Sequence, residues 1–187
     1  EGLRLLYNLG LLSSMSNQDF QNSTGDQILS LNFPNKIGVA GGLDKNADYF
    51  HVLGKLGFGF VEVGTFTLKP QSGNPKPRVH RFTKEKNIVN SLGFNNVGVY
   101  QGLKNVERNK LSFDGVLGIS IGKSKETKTI NAYKDYLHLI DYVHDQADYI
   151  AINISSPNTE NLRDLSSESY FRAVSYTHLR AHETRSD

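Results

Sequence analysis

Three short stretches hold the residues best suited to chemistry. The first is Ala40-Gly41-Gly42-Leu43-Asp44-Lys45. Paired glycines let the backbone approach a flat ligand closely and turn amide N–H groups toward its oxygens or ring nitrogens. A lysine beside such a turn can pair with an anion. The same residues also fit a tight strand-to-helix turn with a solvated Lys45, and the local sequence leaves both readings open. The stretch is neither a GxxxxGK phosphate loop nor a GxGxxG dinucleotide turn. The second is Asn90-Ser91-Leu92-Gly93-Phe94-Asn95-Asn96. Its carboxamides each offer a donor and an acceptor, which suits recognition of a planar polar molecule. Asn and Gly are also common turn residues, and on local grounds the turn reading is stronger. The third runs from Ile152 through Asn153, Ser155, Ser156, Pro157 and Asn158 to Thr159. It begins as a strand and breaks at the proline. A serine hydroxyl is a poor base unless it is desolvated and linked to a relay or an electron sink. No GxSxG elbow is present, so an acyl-transfer serine is not expected. Taken alone, a capping serine with a Pro-Asn turn explains the stretch at least as well.

The remaining ionisable residues form no recognisable metal pattern. There is no HExxH, no EF-hand loop and no defensible carboxylate pair, so no metal is expected. His51, His80, His138 and His144 read as surface or packing residues.

These stretches need a scaffold, and the composition provides for one. The chain has 187 residues, 37% hydrophobic and 21% charged, which suffices for a globular domain with a core. Twenty-one Lys and Arg against 19 Asp and Glu leave a net charge of +2, which gives no electrostatic case for a nucleic-acid partner. Cysteine is absent, which excludes disulfides and thiolate chemistry and fits a reducing compartment. No run of 18 apolar residues exists, and the opening residues do not read as a basic-then-apolar leader.

Apolar periodicity supplies the elements. Leu5, Leu9 and Leu12, with Leu6 beside them, mark a helical stripe within residues 1–14. A polar break follows over Ser16 to Gly25. Buried strands are expected at 37–41, 60–65, 115–121 and 149–154. Helices are expected at about 47–56, with Asp44 as cap and Gly57 as stop, at 98–110, and along Tyr133, Leu137, Ile140 and His144. Residues 67–94 are rich in Pro, Gly, Lys and Asn and read as an excursion of hairpins or loops. Continuously apolar strands separated by helices signal a parallel sheet covered on both faces. An open doubly wound sheet and a (β/α)8 barrel both fit, and both place their sites at the carboxyl ends of the strands, where the glycines and polar residues cluster.

Both ends look atypical. The chain opens on Glu1 with Met15 its only methionine, which predicts a start inside a longer product. From about Val174 the sequence loses its apolar period and resembles translated adapter or vector read-through, so residues 174–187 are expected to be non-native. An ordinary polar tail is the other reading. His178 and His182 in that tail are given no function.

Taken in order, five segments resemble the dihydroorotate dehydrogenase family, class 2: IGVAGGLDKNAD, FGFVEVGTFTLKPQSGNPKPR, NSLGFNNVGV, DGVLGISIGKSK and DYIAINISSPNTENLR. The likeness covers about residues 31 to 165. It implies an α/β (β/α)8 TIM barrel, of which residues 31–173 would form about the first half, as a whole barrel takes about 250 residues. Residues 1–30 resemble the latter part of the N-terminal helical extension that meets the membrane and admits quinone, which implies a peripheral membrane association. The resemblance implies FMN as cofactor and oxidation of dihydroorotate to orotate in pyrimidine synthesis, with quinone as acceptor.

By the same likeness, Gly41, Gly42, Leu43, Asp44, Lys45, Thr65, Ser120 and Asn153 line the flavin. Lys45, Asn90, Ser91, Leu92, Gly93, Phe94, Asn153 and Asn158 meet the substrate, and Ser156 is the catalytic base. Class 1 members carry cysteine at the base position, and Ser156 points to class 2. Ser120 departs from the family, which usually has Asn there; its shorter side chain reaches less far into the pocket. The elements that seat the FMN phosphate are expected beyond residue 173, so these 187 residues alone are expected to hold FMN weakly and to be inactive. Other classes compatible with a strand-end flavin pocket are a reductase of another dihydropyrimidine or dihydrouridine, and an inactive fragment that only associates.

Overall fold

The four apolar runs assemble into a single parallel sheet. The computed structural model describes residues 2–10 and 25–155, so Ser156, Asn158, Leu12 and the tail from Val174 lie outside the described residues. The elements in chain order are α1 (Gly2–Asn8), β1 (Asp26–Ile28), β2 (Leu31–Phe33), β3 (Gly38–Asp44), α2 (Phe50–Lys55), β4 (Phe60–Phe66), β5 (Val79–Phe82), β6 (Asn87–Asn90), α3 (Val99–Lys110), β7 (Val116–Ile121), a 3-10 turn (Thr129–Asn131), α4 (Ala132–Val143) and β8 (Tyr149–Ile152).

The sheet runs β3-β4-β7-β8, every pair parallel. Spatial order follows chain order without a reversal. A doubly wound sheet reverses at its switch point, so this succession is that of a barrel wall. One face of the sheet is sealed by the helices. Val61, Val63, Leu117, Ile119 and Ile121 are fully buried there, in one cluster with Phe50, Val106, Tyr136, Leu139 and Val143. Burial of such side chains contributes roughly 1.5–3 kcal/mol each. On the opposite face, glycine makes room for a long reach. A Cβ at Gly118 would stand 2.2 Å from the Tyr149 ring, so glycine lets Tyr149 lie across β7 and donate its hydroxyl to Glu62 Oε2 at 3.2 Å.

Two helices differ from expectation. The helix expected from Ala47 begins at Phe50, because Ala47 adopts a left-handed φ of 59° that no helix can include. Asp44 therefore caps the turn before α2: its Oδ1 accepts from Asp48 N and its Oδ2 from Tyr49 N, both at 2.8 Å. In α4 the buried stripe is Ala132, Asp135, Tyr136, Leu139, Ile140 and Val143, one residue out of step with the stripe expected. Tyr133 is exposed there, and His144 is the residue that ends the helix.

Two antiparallel hairpins flank the sheet. The β1–β2 hairpin spans the junction expected at residues 30 and 31, and Phe33 meets Phe60 edge-on beneath the start of β4. The β5–β6 hairpin occupies the excursion expected over residues 67–94 and is exposed along its whole length.

Candidate active site

Two interruptions in the strand ladder shape the carboxyl edge of the sheet. The β3–β4 register shifts between Val39 and Asp44, and the β4–β7 register between Val63 and Phe66. Such bulges release residues from pairing and re-aim them. Here they free the segment around Gly41 to Leu43 and the Gly64-Thr65 corner, whose peptide is cis.

Thr65 is the centre of what gathers there. Its Oγ1 lies 3.0 Å from Ser120 Oγ and accepts from Asn153 Nδ2 at 3.0 Å. Three candidate residues from three adjacent strands thus share one hydroxyl. Thr65 and Ser120 are buried and Asn153 is half-buried. Phe94 comes to the same place. A Cβ at Gly122 would lie 2.7 Å from Thr65 Cγ2 and 3.1 Å from the Phe94 ring, so only glycine lets ring and threonine converge. Gly93 and Phe94 both take left-handed φ, 70° and 51°, which folds the ring inward.

The glycine turn lies alongside. A Cβ at Gly41 would stand 3.6 Å from Ser120 Cβ, and one at Gly42 would meet only Lys45 Nζ, at 3.7 Å. The Gly42 position therefore leaves open space under the lysine. Lys45 makes no hydrogen bond or ion pair with any described residue. Its pKa is held below the usual lysine value, chiefly by burial and further by the nearby Arg78 guanidinium. A half-desolvated ammonium without a carboxylate is an anion receptor. Asp44 is turned to the capping described above. Burial raises its pKa, against the backbone hydrogen bonds that lower it. Leu43 is exposed.

The other expected residues are placed less directly. Asn90 ends β6 and is exposed, with Oδ1 accepting from Leu92 N at 3.4 Å. Ser91 and Leu92 face the segment before the hairpin: Ser91 N donates to Arg78 O, and the Leu92 and Ser91 carbonyls accept from Asn74 N and Nδ2. Neutral donors and acceptors at Thr65, Ser120 and Asn153, beside the open space at Gly42, suit the polar edge of a flat ring such as a flavin; at Gly41 a Cβ would stand 2.4 Å from Glu62 Oε1. No group of three or more His, Cys, Asp or Glu fit to hold a metal occurs among the described residues.

Asn96, one of the carboxamides of the second stretch, builds this edge, as do Asp135 and Lys123, which the sequence did not mark. Asn96 bonds Thr67 and the Phe94 carbonyl, pinning the Phe94 turn to the end of β4. Asp135 accepts from Ser124 N and Thr127 Oγ1, which fixes the loop after β7 to α4. Lys123 is buried and donates to the Ser124 and Thr127 carbonyls. The only signal for Asp135 was a carboxylate on an otherwise apolar helical stripe.

Comparison with known proteins follows this geometry. The family model described as dihydroorotate dehydrogenase matches residues 24–184. A protein named dihydroorotate dehydrogenase (quinone) from Teredinibacter turnerae is 55% identical over 139 residues, 74% of this chain and 40% of its own length. One of the same name from Neisseria meningitidis is 46% identical over 165 residues, 88% of this chain and 48% of its own. The solved Eimeria tenella DHODH in complex with ferulenol matches with a TM-score of 0.74 and 42% identity, covering 80% of this chain and 41% of that one. Its ligand-free form matches at 0.78 and 35%, covering 96% and 52%. The chain thus spans about half the length of its relatives or less, and its parallel sheet is part of their (β/α)8 barrel. The match over most of the sequence, at half identity to named relatives, makes this chain a member of the dihydroorotate dehydrogenase family.

Proposed function

We propose that this chain carries the flavin- and substrate-facing first half of a quinone-dependent dihydroorotate dehydrogenase, which oxidises dihydroorotate to orotate in pyrimidine synthesis. The observation that carries the reading is the shared hydroxyl of Thr65, which joins Ser120 and Asn153 beside the Lys45 ammonium, which has no ion-pair partner among the described residues. The names of the relatives support the substrate and acceptor.

FMN is the cofactor in this reading, held along Gly41, Gly42, Thr65, Ser120 and Asn153; when bound it supplies the two-electron acceptor that quinone later reoxidises. Lys45 pairs with the carboxylate of dihydroorotate. The carboxamides of Asn90, Asn153 and Asn158 hold its ring amides and carbonyls, donating to oxygen where negative charge grows as the adjacent carbon loses its proton. Ser156 Oγ takes that proton. Phe94, packed against Thr65, closes one wall and keeps bulk water from the reacting carbon. Leu5 on α1 and Leu9 in the turn just after it, both 61% exposed, support a peripheral membrane contact through residues 1–30. Among the described residues no helix is long and apolar enough to cross a membrane.

Calorimetric titration with orotate, in the presence of FMN, tests the binding half. Orotate is expected to bind, uracil (the same ring without the carboxylate) to bind far more weakly, and Lys45→Met to remove the difference. Equal affinity for orotate and uracil would overturn the role of Lys45. In the holoenzyme containing this sequence, Ser156→Ala should slow flavin reduction by dihydroorotate by about 10²–10⁴-fold while FMN stays bound. Unchanged reduction would remove Ser156 from the reaction.

A further inference from the structure

Gln71 sits between two loops, and each of its polar atoms makes a hydrogen bond to one of them. Its backbone forms an isolated antiparallel bridge with Asn96, each amide donating to the other residue's carbonyl at 3.0 Å. Its side chain points both ways. Nε2 donates to the Gly93 carbonyl at 3.2 Å, and Oε1 accepts from Lys125 N at 3.2 Å. The first contact lies in the loop that bears Asn90 to Phe94, the second in the loop that leaves β7 just beyond Ser120. Gln71 also lines a crevice of about 490 Å³ between its own segment, residues 68–73, and residues 124–127 of the loop after β7.

The two loops differ in how firmly they are held. The one after β7 is fixed to α4 through Asp135 and stiffened by Lys123. The Phe94 loop is pinned to the end of β4 at its far end by Asn96, while its near end, leaving an exposed hairpin, meets its neighbours by close backbone approach. A Cβ at Gly73 would stand 2.2 Å from Leu92 O, and one at Gly93 would stand 2.8 Å from the Asn74 side chain. Asn74 and Arg78 complete that clasp, Arg78 donating to the Ser72 and Asn74 carbonyls. Of these clasping side chains, only that of Gln71 spans from the Phe94 loop to the anchored one.

We propose that Gln71 is a positioning residue, stapling the substrate-facing loop at Gly93 and Phe94 to the anchored loop after β7, so that the walls on either side of the Thr65–Ser120 pair keep a fixed separation. This rests on the reading of Asn90 to Phe94 as substrate-facing. The chemistry requires an amide. Glutamate could still accept from Lys125 N but would set a carboxylate against the Gly93 carbonyl.

The test compares the holoenzyme containing this sequence with its Gln71→Ala and Gln71→Glu variants by amide hydrogen exchange and orotate titration, with the amides of β4 and β7 as the control for an intact fold. Gln71→Ala should speed exchange on the order of fivefold at Lys125 N and at Asn74 and Asn96 N, the expectation for losing one hydrogen bond at each end. Gln71→Glu should speed only Asn74 and Asn96, leaving Lys125 protected. Both should weaken orotate binding on the order of fivefold. If Gln71→Ala unfolds the chain, the Gln71→Glu split decides alone. Lys125 unchanged in Gln71→Ala, or both loops unchanged in Gln71→Glu, overturns the staple. Loosened loops with unaltered orotate affinity overturn the positioning role. Absence of orotate binding in the unsubstituted holoenzyme overturns the functional reading, while the exchange data still decide the staple.

Discussion

Replacing Thr65 by valine keeps shape and removes one oxygen. That oxygen serves Ser120 Oγ and Asn153 Nδ2, each at 3.0 Å. Thr65 is 5% exposed and Ser120 1%, so water cannot take over at the Ser120 end. A lost hydrogen bond costs about 0.5–1.5 kcal/mol, and an orphaned buried group about 1–3. Asn153 is half-buried and regains water in part. The sum is a destabilisation of about 2 kcal/mol, or a melting point lower by about 4–8 °C for a chain of this size. Urea unfolding followed by circular dichroism measures it. A double-mutant cycle with Ser120→Ala isolates the contact: Ser120→Ala removes the orphan, so the two substitutions together should cost about 1 kcal/mol less than their sum. Additive costs, or Thr65→Val within about 0.5 kcal/mol of the parent, would show that the three side chains are not joined through this hydroxyl.

Four other outcomes follow from the same reasoning. Lys45→Met should raise the melting point at pH 7 while weakening orotate binding to the level of uracil. The folded pKa of Lys45 lies below its unfolded value, so its charged form burdens the fold at every pH below that window, and the parent should gain stability as pH rises through it toward 10.5; a flat pH dependence refutes this. Asp44→Ala should cost about 2 kcal/mol in chemical unfolding by stranding the amides of Asp48 and Tyr49, whereas Asp44→Asn, which keeps one acceptor and loses a buried charge, should cost less. Gly118→Ala should destabilise by about 1–3 kcal/mol because its methyl meets the Tyr149 ring, with Tyr149→Ala as the rescuing second change. The outer strands β3 and β8 have no further partner among the described residues, so the purified chain should associate and bind an apolar dye; a dye-silent monomer in sedimentation refutes this.

The sheet was legible because β4 and β7 are buried on the helix face by Val61, Val63, Leu117, Ile119 and Ile121, and such strands read as unbroken apolar runs. The β1–β2 hairpin was not. Its strands are three residues each, and its turn passes through Leu29 at a φ of 54° in place of the Gly or Asn that announces such turns. The start of α2 was misjudged because nothing in an alanine signals a left-handed backbone. At the site, the individual residues were visible as glycines, carboxamides and hydroxyls. Their wiring was not: Thr65 meets Ser120 across 55 residues and Asn153 across 88, and strand register creates those contacts. Gln71, Asn96 and Asp135 act mainly through loop and backbone partners, which leave no spacing to read.

Because position in the sheet follows position along the chain, each of its described strands lays itself against the sheet strand made before it. A wall of this kind can be raised in the order of synthesis, β3 first and β8 last. Its growing rim is then always the newest strand. Thr65 is the fixed post of that construction, receiving Ser120 when β7 arrives and Asn153 when β8 does, so the carboxyl edge of the sheet is assembled by the same steps that widen the wall.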